Sequence, residues 1–182
     1  NHPLLLIQVL ILSFVLKLTS GQSPLAFEFR ETIHWDTLGT SVSVGNGFFV
    51  AFNGSHTHIL DANMLPNNIT VQNAGYSAWK LIETIIVPSN RTNFALASLG
   101  NGNALLYGGW DGNYVNDAYI FTITVNELTG KEEGQWLKTE DGPSARELHA
   151  MASMGNGKIL MYGGWDGKNH LNDAYIFTIT IN

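Results

Sequence analysis

Two identical Trp-Asp-Gly tripeptides carry the side chains best suited to hold a ligand; they begin at Trp110 and at Trp165. An exposed indole can stack on a sugar ring, and aspartate oxygens can coordinate Ca²⁺. Asp-Gly is also an ordinary turn sequence. Residues that recur unchanged usually serve a scaffold, so we expect turn chemistry before partner or glycan contact, and calcium last. The candidate contact residues are Trp110, Asp111, Trp165 and Asp166.

The histidines and arginines offer weaker chemistry. His56 and His58 are two residues apart on a predicted strand, but a metal site needs further ligands, so we predict a solvated pair. Arg91 and Arg146 are one repeat apart (146 − 91 = 55) and predict hydrogen bonds to backbone carbonyls between repeats rather than an anion site. For His149 we predict a structural hydrogen bond. No hydrolase, zincin or phosphate-loop motif occurs. We therefore expect no catalytic residue, no metal and no cofactor.

Composition excludes several classes of protein. The absence of cysteine rules out disulfides, zinc–thiolate sites and thiol nucleophiles. A net charge of −6 without a Lys or Arg cluster argues against nucleic acid and against an anionic membrane surface. Hydrophobic residues make up 45% of 182 residues, enough for one core. The 19 glycines and the many Thr, Val, Ile, Tyr and Phe residues predict an all-β fold.

A repeat of 55 residues must position these candidates. Gly-Asn-Gly begins at Gly45, Gly100 and Gly155 (100 − 45 = 55 and 155 − 100 = 55), and such a period marks stacked units. The pattern predicts four strands in each unit. An apolar first strand leads through an Asn-Gly hairpin into an apolar second strand that ends in di-glycine. The third strand carries a Tyr, and the fourth carries Trp79 or Trp136. The units cover about residues 40–82, 94–139 and 148–182, and residues 30–38 predict an orphan fourth strand.

This pattern resembles the kelch repeat, whose units are four-stranded antiparallel blades of a β-propeller. The resemblance covers about residues 30–182, and in the first unit Asn53 occupies a di-glycine position, so we expect that blade to be distorted. Some kelch propellers are copper oxidases with a Tyr–Cys cofactor, and this chain contains no Cys. The resemblance implies blade-packing roles for Gly108, Gly109, Tyr119, Trp136, Gly163, Gly164 and Tyr175.

Three blades do not close a ring, because propellers have four to eight. We expect an incomplete or open arc. Either the sequence is a portion of a longer propeller, or chains assemble head to tail, for instance two copies giving six blades. In a complete propeller, residues 30–38 would finish the last blade.

The N-terminus suggests the secretory route. Residues 4–16 are almost entirely apolar; as a helix they would span about 20 Å, short of the roughly 30 Å hydrocarbon core. We interpret residues 1–21 as a short hydrophobic helix, either a signal peptide or a retained signal-anchor, and residues 22–182 as secreted or lumen-facing. Candidate glycosylation sites are Asn68 and Asn90, with Asn53 third.

The sequence predicts a non-catalytic binding or scaffolding module that contacts a protein partner, or a second copy of itself, through its blade loops. A carbohydrate-binding module that uses the loop Trp residues is the alternative. A third hypothesis is an enzyme whose active site lies on blades outside this sequence. The fold by itself assigns no activity.

Overall fold

The computed structural model describes residues 39–64 and 79–179. These residues form eleven β-strands in three antiparallel sheets, with one 3-10 turn at Ala62–Met64. The all-β prediction is confirmed. The predicted N-terminal helix and the orphan strand at residues 30–38 lie outside the described residues.

Each sheet is built from consecutive strands, and neighbours in the sheet are neighbours in the chain. The first and second sheets have four strands, and the third has three, in the order β11-β10-β9. The first sheet contains β1 (Thr40–Gly45), β2 (Phe48–Phe52), β3 (Thr57–Asp61) and β4 (Lys80–Ile82). The second contains β5 (Ala95–Gly100), β6 (Asn103–Tyr107), β7 (Ala118–Val125) and β8 (Glu132–Lys138). The third contains β9 (Ala150–Gly155), β10 (Lys158–Trp165) and β11 (His170–Thr178).

The Asn-Gly dipeptides form the first hairpin of every sheet. Asn46 and Gly47 have φ angles of 53° and 81°, and the corresponding residues of the other two sheets also have positive φ. Two successive positive φ angles match the right-handed twist of the flanking strands, and Asn and Gly tolerate them best. The sequence therefore predicts these three turns from local chemistry alone.

The fourth strand of the first sheet is shorter than predicted. β4 has three residues, and Trp79 immediately precedes it rather than lying within it. In the second sheet Trp136 lies inside β8, as predicted.

The sheets stack through two hydrophobic clusters, one between the first and second sheets and one between the second and third. We call the face that a sheet turns toward the preceding sheet its inner face, and the opposite one its outer face. All five residues of β6 are buried, because both faces of the second sheet are covered. In β10 buried and exposed residues alternate over Lys158–Gly163, because no described sheet covers the outer face.

Candidate functional site

The di-glycines lie where the connectors between sheets cross the ends of the strands. Gly109 has a φ of 105°, and a Cβ there would lie 2.6 Å from the Thr92 carbonyl oxygen. Gly164 has a φ of 110°, with the Glu147 carbonyl oxygen 2.7 Å from the same position. Gly108 and Gly163 also have positive φ, 64° and 68°. Close backbone approach and positive φ together require glycine here.

Each connector carries a buried arginine that holds the following sheet. Arg91 donates from Nη2 to Asp117 Oδ2 at 2.8 Å and from Nη1 to the Gly108 carbonyl at 3.1 Å. Arg146 repeats the arrangement with Asp173 at 2.9 Å and the Gly163 carbonyl at 2.9 Å. Both arginine side chains have 0% exposure. The prediction of carbonyl bonds is confirmed, and each arginine also has a carboxylate partner, Asp117 or Asp173, that the sequence analysis did not name.

The arginine backbone holds the preceding sheet. The Arg91 amide donates to the Gly54 carbonyl at 3.0 Å, and the Gly109 amide donates to the Arg146 carbonyl at 2.9 Å. Backbone and side chain thus join successive sheets. Since the guanidinium donors are engaged within the scaffold, these arginines are not available to bind an anionic ligand.

In the Arg91–Asp117 and Arg146–Asp173 pairs, the surroundings favour the ionised form of the aspartate. Burial by itself would raise the pKa of Asp117, but hydrogen bonds and charge from Arg91 outweigh it and hold that pKa below its usual value. The hydrogen bond from Arg146 lowers the pKa of Asp173, also against the effect of burial. Tyr119 packs beneath Arg91, with the guanidinium carbon 5.5 Å from the ring centroid. Tyr175 and Arg146 repeat this contact at 5.3 Å.

Trp136 joins the second sheet to the first. Its ring lies 5.0 Å from Phe121 and 5.6 Å from Phe52, and its indole nitrogen donates to Thr57 Oγ1 at 2.8 Å. Only 2% of Trp136 is exposed. The structure therefore places Trp136, like the di-glycines and Tyr119, within the scaffold, whereas Tyr175 packs beneath Arg146 and is 39% exposed.

The two Trp-Asp-Gly loops extend from the same ends of the strands as the connectors. Asp111 accepts hydrogen bonds from the Asn113 amide at 3.2 Å and from Ser89 Oγ at 2.7 Å. Asp166 accepts from the amides of Asn169 and Lys168 at 2.7 and 2.8 Å, and these bonds lower its pKa. Both aspartates therefore cap turns. Among the described residues, no group of three or more acidic or histidine side chains is arranged to hold a metal.

A tyrosine that the sequence analysis missed connects the two loops. Tyr114 lies 4.7 Å from the Trp110 ring, and its hydroxyl accepts a hydrogen bond from the Trp165 indole at 3.2 Å. The ring of Trp165 is 4.8 Å from that of His170. Gly167 makes room for Tyr114, because a Cβ there would lie 2.5 Å from the tyrosine ring. We call Trp110, Tyr114, Trp165 and His170 the aromatic row.

Beside the aromatic row, Leu148 is an exposed apolar residue with an unfavourable backbone conformation. It has a φ of 57° and is 66% exposed, and its amide donates to the Asn93 carbonyl at 2.9 Å. Asn93 holds the same conformation one repeat earlier, with a φ of 55°. Asn tolerates the left-handed region far better than Leu does. The Asn93 amide group donates to Glu147 Oε2 at 2.8 Å and so links the two connectors. No periodicity in the sequence marks Leu148.

His149 and His58 differ from the predictions made for them. Neither ring nitrogen of His149 makes a hydrogen bond of good geometry within the described residues; the ring packs edge-on against Tyr107 at 5.2 Å. Burial, aided by the charge of Arg146, lowers the pKa of His149 to about 4. His56 is exposed, but His58 is only 5% exposed, so the predicted solvated pair is wrong for His58. Burial lowers its pKa, as does His56.

The three candidate glycosylation sites differ in their surroundings. Asn90 is exposed on the connector before Arg91. Asn53 is half-buried, and its amide oxygen accepts from the Ser55 and His56 amides at 3.0 and 2.8 Å. Asn68 lies outside the described residues.

Within residues 39–64 and 79–179, no helix has the length and apolarity to span a bilayer.

Comparisons with known proteins add the following. No family model matches the chain. The chain is similar to a Schizosaccharomyces pombe protein, Tip elongation aberrant protein 1, at 29% identity over 140 residues, which is 75% of this chain and 12% of that protein. It is also similar to the solved structure of a fungal alcohol oxidase of the AA5 family in complex with copper, with a TM-score of 0.48, 17% identity, and coverage of 68% of this chain and 24% of that one.

The chain thus spans about an eighth of the curated relative that it matches. Its sheets repeat every 55 residues, from the hairpin at Gly45 to those at Gly100 and Gly155. In the second unit, Gly108 and Gly109 lie against connector backbone, Tyr119 packs beneath Arg91, and Trp136 packs against the first sheet. In its repeated residues and its stacked antiparallel sheets, this chain resembles a kelch-repeat region.

Proposed function

We propose that this region is a non-catalytic protein-binding module whose contact surface is formed by the loops and connectors at one end of the second and third sheets. We call this surface, made of the aromatic row with Asn93, Glu147 and Leu148, the loop face. The exposed Leu148 carries the proposal. A left-handed leucine costs on the order of 1–3 kcal/mol and its side chain contributes little to the core, which is typical of residues kept for contact.

Backbone hydrogen bonds make the loop face one rigid surface. Thr92 and Trp110 exchange hydrogen bonds at 2.9 and 2.8 Å, and Glu147 and Trp165 do so at 3.0 and 2.8 Å. Loops and connectors are therefore tied pairwise, and Tyr114 ties one loop to the next. A rigid surface loses little conformational entropy when it binds, which favours recognition of a partner.

The side chains of the loop face favour an apolar peptide segment that carries a basic residue. Trp110, 39% exposed, and Leu148 offer apolar contact. Asp111, Glu147 and Asp166 border them, and within the described part of the chain none forms a salt bridge with Lys or Arg. Interfaces typically draw most of their energy from such aromatic anchors, with charges at the rim setting specificity.

A peptide-display library panned against the 182-residue chain tests the proposal. We expect enriched peptides with a basic residue next to aliphatic or aromatic ones. Trp110→Ala and Leu148→Ser should each weaken their binding about tenfold or more. Leu128→Ser is the matched control, because Leu128 is 96% exposed in the turn between β7 and β8, away from the loop face. Failure to enrich any peptide, or equal binding by all three variants, would contradict the proposal.

Carbohydrate binding is the second candidate, supported by the exposure of Trp110 at a loop. A glycan array separates the two functions. Retention of a glycan that is lost in Trp110→Ala, at unchanged thermal stability, would favour a lectin-like role; loss of peptide binding with no glycan retained favours a protein partner. The secretory location and the sugar-modified asparagines stay predictions of the sequence.

A further inference from the structure

The three Gly-Asn-Gly hairpins share one sequence, so differences in their chemical reactivity should come mainly from their surroundings. Asn46, Asn101 and Asn156 are all exposed, and their φ angles are 53°, 51° and 51°. The asparagine therefore has nearly the same backbone conformation in each turn. What differs is the environment of the glycine amide that follows it.

The second hairpin is closed against the first sheet. The Gly102 amide donates to the Val44 carbonyl at 2.9 Å, and Gly102 is buried. The hairpins of these two sheets also lie close together, because a Cβ on Gly45 would be 3.5 Å from the Asn101 nitrogen. The amide nitrogen after Asn101 is thus both hydrogen-bonded and shielded from water.

The third hairpin lacks this closure. Leu99 occupies the place of Val44 one repeat later (99 − 44 = 55), yet among the described residues no oxygen accepts a hydrogen bond from the Gly157 amide. A Cβ built on Gly100 would meet no described atom within 4 Å, whereas the equivalent glycine of the first sheet lies against the second hairpin. Gly157 is only half-buried. The third hairpin therefore stands away from the second sheet, and water reaches its glycine amide.

The two remaining Asn-Gly pairs are restrained by side-chain contacts. Asn63 Nδ2 donates to the Asn46 carbonyl at 2.9 Å, and a Cβ on Gly47 would collide with the same side chain. Asn53 is half-buried, and its amide oxygen accepts a hydrogen bond from the His56 amide at 2.8 Å. The asparagine of the third hairpin is thus the least restrained of the four.

We propose that Asn156 is a site of spontaneous deamidation, in which the Gly157 amide nitrogen attacks the side-chain carbonyl carbon of Asn156. The new N–Cγ bond closes a five-membered succinimide, the C–N bond of the side-chain amide breaks, and the Gly157 amide proton leaves with ammonia. Water then opens the ring to aspartate or isoaspartate. Glycine favours the attack because it has no Cβ to hinder the approach of its nitrogen. A hydrogen bond from that N–H opposes it, because the bond must break before the nitrogen can react.

Deamidation would change both the charge and the hairpin. A carboxylate replaces a neutral amide, so the formal charge of the chain moves from −6 to −7 (−6 − 1 = −7). Aspartate tolerates left-handed backbone as asparagine does, so that product keeps the turn. Isoaspartate carries the main chain through Cβ and lengthens a turn that sets the pairing of Gly155 with Lys158. We therefore expect the isoaspartate form to loosen the β9–β10 hairpin.

This inference is independent of the proposed protein-binding role. The hairpins between first and second strands lie at the opposite ends of the strands from the loops between second and third strands. A modified Asn156 therefore lies away from the loop face.

Incubation of the 182-residue chain at mildly alkaline pH, followed by peptide mapping with tandem mass spectrometry, tests the proposal. The absence of one hydrogen bond corresponds to about a fivefold difference in rate, so Asn156 should deamidate about fivefold faster than Asn101 or more. In urea that unfolds the chain, the two rates should agree within about twofold, because the tripeptides are identical. Equal rates in the native chain overturn the proposal. A difference that persists unchanged in urea does so too, because flanking residues would then be its cause.

Asn63→Ala is a matched variant in the first sheet. It removes the hydrogen bond to the Asn46 carbonyl and leaves the third hairpin untouched. Since Asn63 is exposed, circular dichroism should remain that of the native protein. Deamidation of Asn46 should rise about fivefold, while the rates at Asn101 and Asn156 stay the same. An unchanged rate at Asn46 would contradict the argument that restraint of the turn sets the rate.

Discussion

His149 and Phe94 occupy the same place in successive repeats (149 − 94 = 55). Phe94 packs against Phe52 with ring centroids 5.3 Å apart, and His149 packs against Tyr107 at 5.2 Å. An imidazole thus lies where the preceding repeat has a phenyl ring, in an apolar site that mainly requires a ring of suitable shape. The cost of this exchange appears when the imidazole is protonated.

Stability should therefore depend on pH through His149. Its pKa falls from 6.5 to about 4 on folding, so the unfolded chain takes up the proton first. The stability that comes from the neutral imidazole is complete above pH 6.5 and is lost as the pH falls toward 4, up to about 3 kcal/mol. His149→Phe should abolish most of this loss. Urea unfolding at a series of pH values above those at which Asp117 and Asp173 titrate measures it.

The reciprocal change, Phe94→His, is the control. A histidine placed between the first and second sheets should introduce an additional loss of stability over the same pH range. If His149→Phe leaves the slope of stability against pH unchanged, the environment assigned to His149 is wrong.

The connectors between sheets explain why the di-glycine positions require glycine. Gly109 and Gly112 have nearly equal φ angles, 105° and 108°, so that a side chain strains the backbone similarly at both. They differ in surroundings: a Cβ on Gly109 meets the Thr92 oxygen at 2.6 Å and the Phe94 Cβ at 3.0 Å, whereas a Cβ on Gly112 meets nothing within 4 Å.

Alanine substitutions at these two glycines should separate conformational strain from steric contact. Gly112→Ala is expected to cost about 1 kcal/mol of unfolding free energy, from positive φ alone. Gly109→Ala should cost about 2 kcal/mol more, since the connector must move away. Chemical denaturation of both variants provides the measurement. Equal losses would show that the connector does not lie against β6 as described.

The sequence predicted the strands and hairpins better than it predicted the strand ends. Asn-Gly specifies its turn locally, so Asn46, Asn101 and Asn156 could be placed from composition and spacing. The length of β4 could not, because it depends on how far the chain pairs with β3, and Trp79 falls just outside. Strand ends depend on neighbours that local chemistry does not encode.

Across the whole molecule, the stacked sheets differ in how fully the edges of corresponding strands are hydrogen-bonded. In the second sheet β7 pairs on both edges, with β6 and with β8. In the third sheet β11 pairs with β10, and no described strand pairs with its other edge. Both strands contain the sequence Ala-Tyr-Ile-Phe-Thr, so a comparison of these five residues is nearly free of sequence effects.

Hydrogen exchange should reveal this difference. Amides of His170–Thr178 are expected to exchange faster than those of Ala118–Val125, because hydrogen bonds at an unpaired edge open more easily. β6 and β10, which both pair on two edges, are the internal reference. Equal protection of the two strands would mean that a further strand pairs with β11.

The sequence by itself determined the repeat, the hairpins and the all-β class, because each depends on local backbone chemistry or on a period that can be counted. Tertiary structure decided the rest. Asp117 and Asp173 became arginine partners, Tyr114 joined two loops, and Leu148 became an exposed apolar residue only through the packing of one sheet against the next. Such contacts join residues far apart in the chain, so no local pattern encodes them.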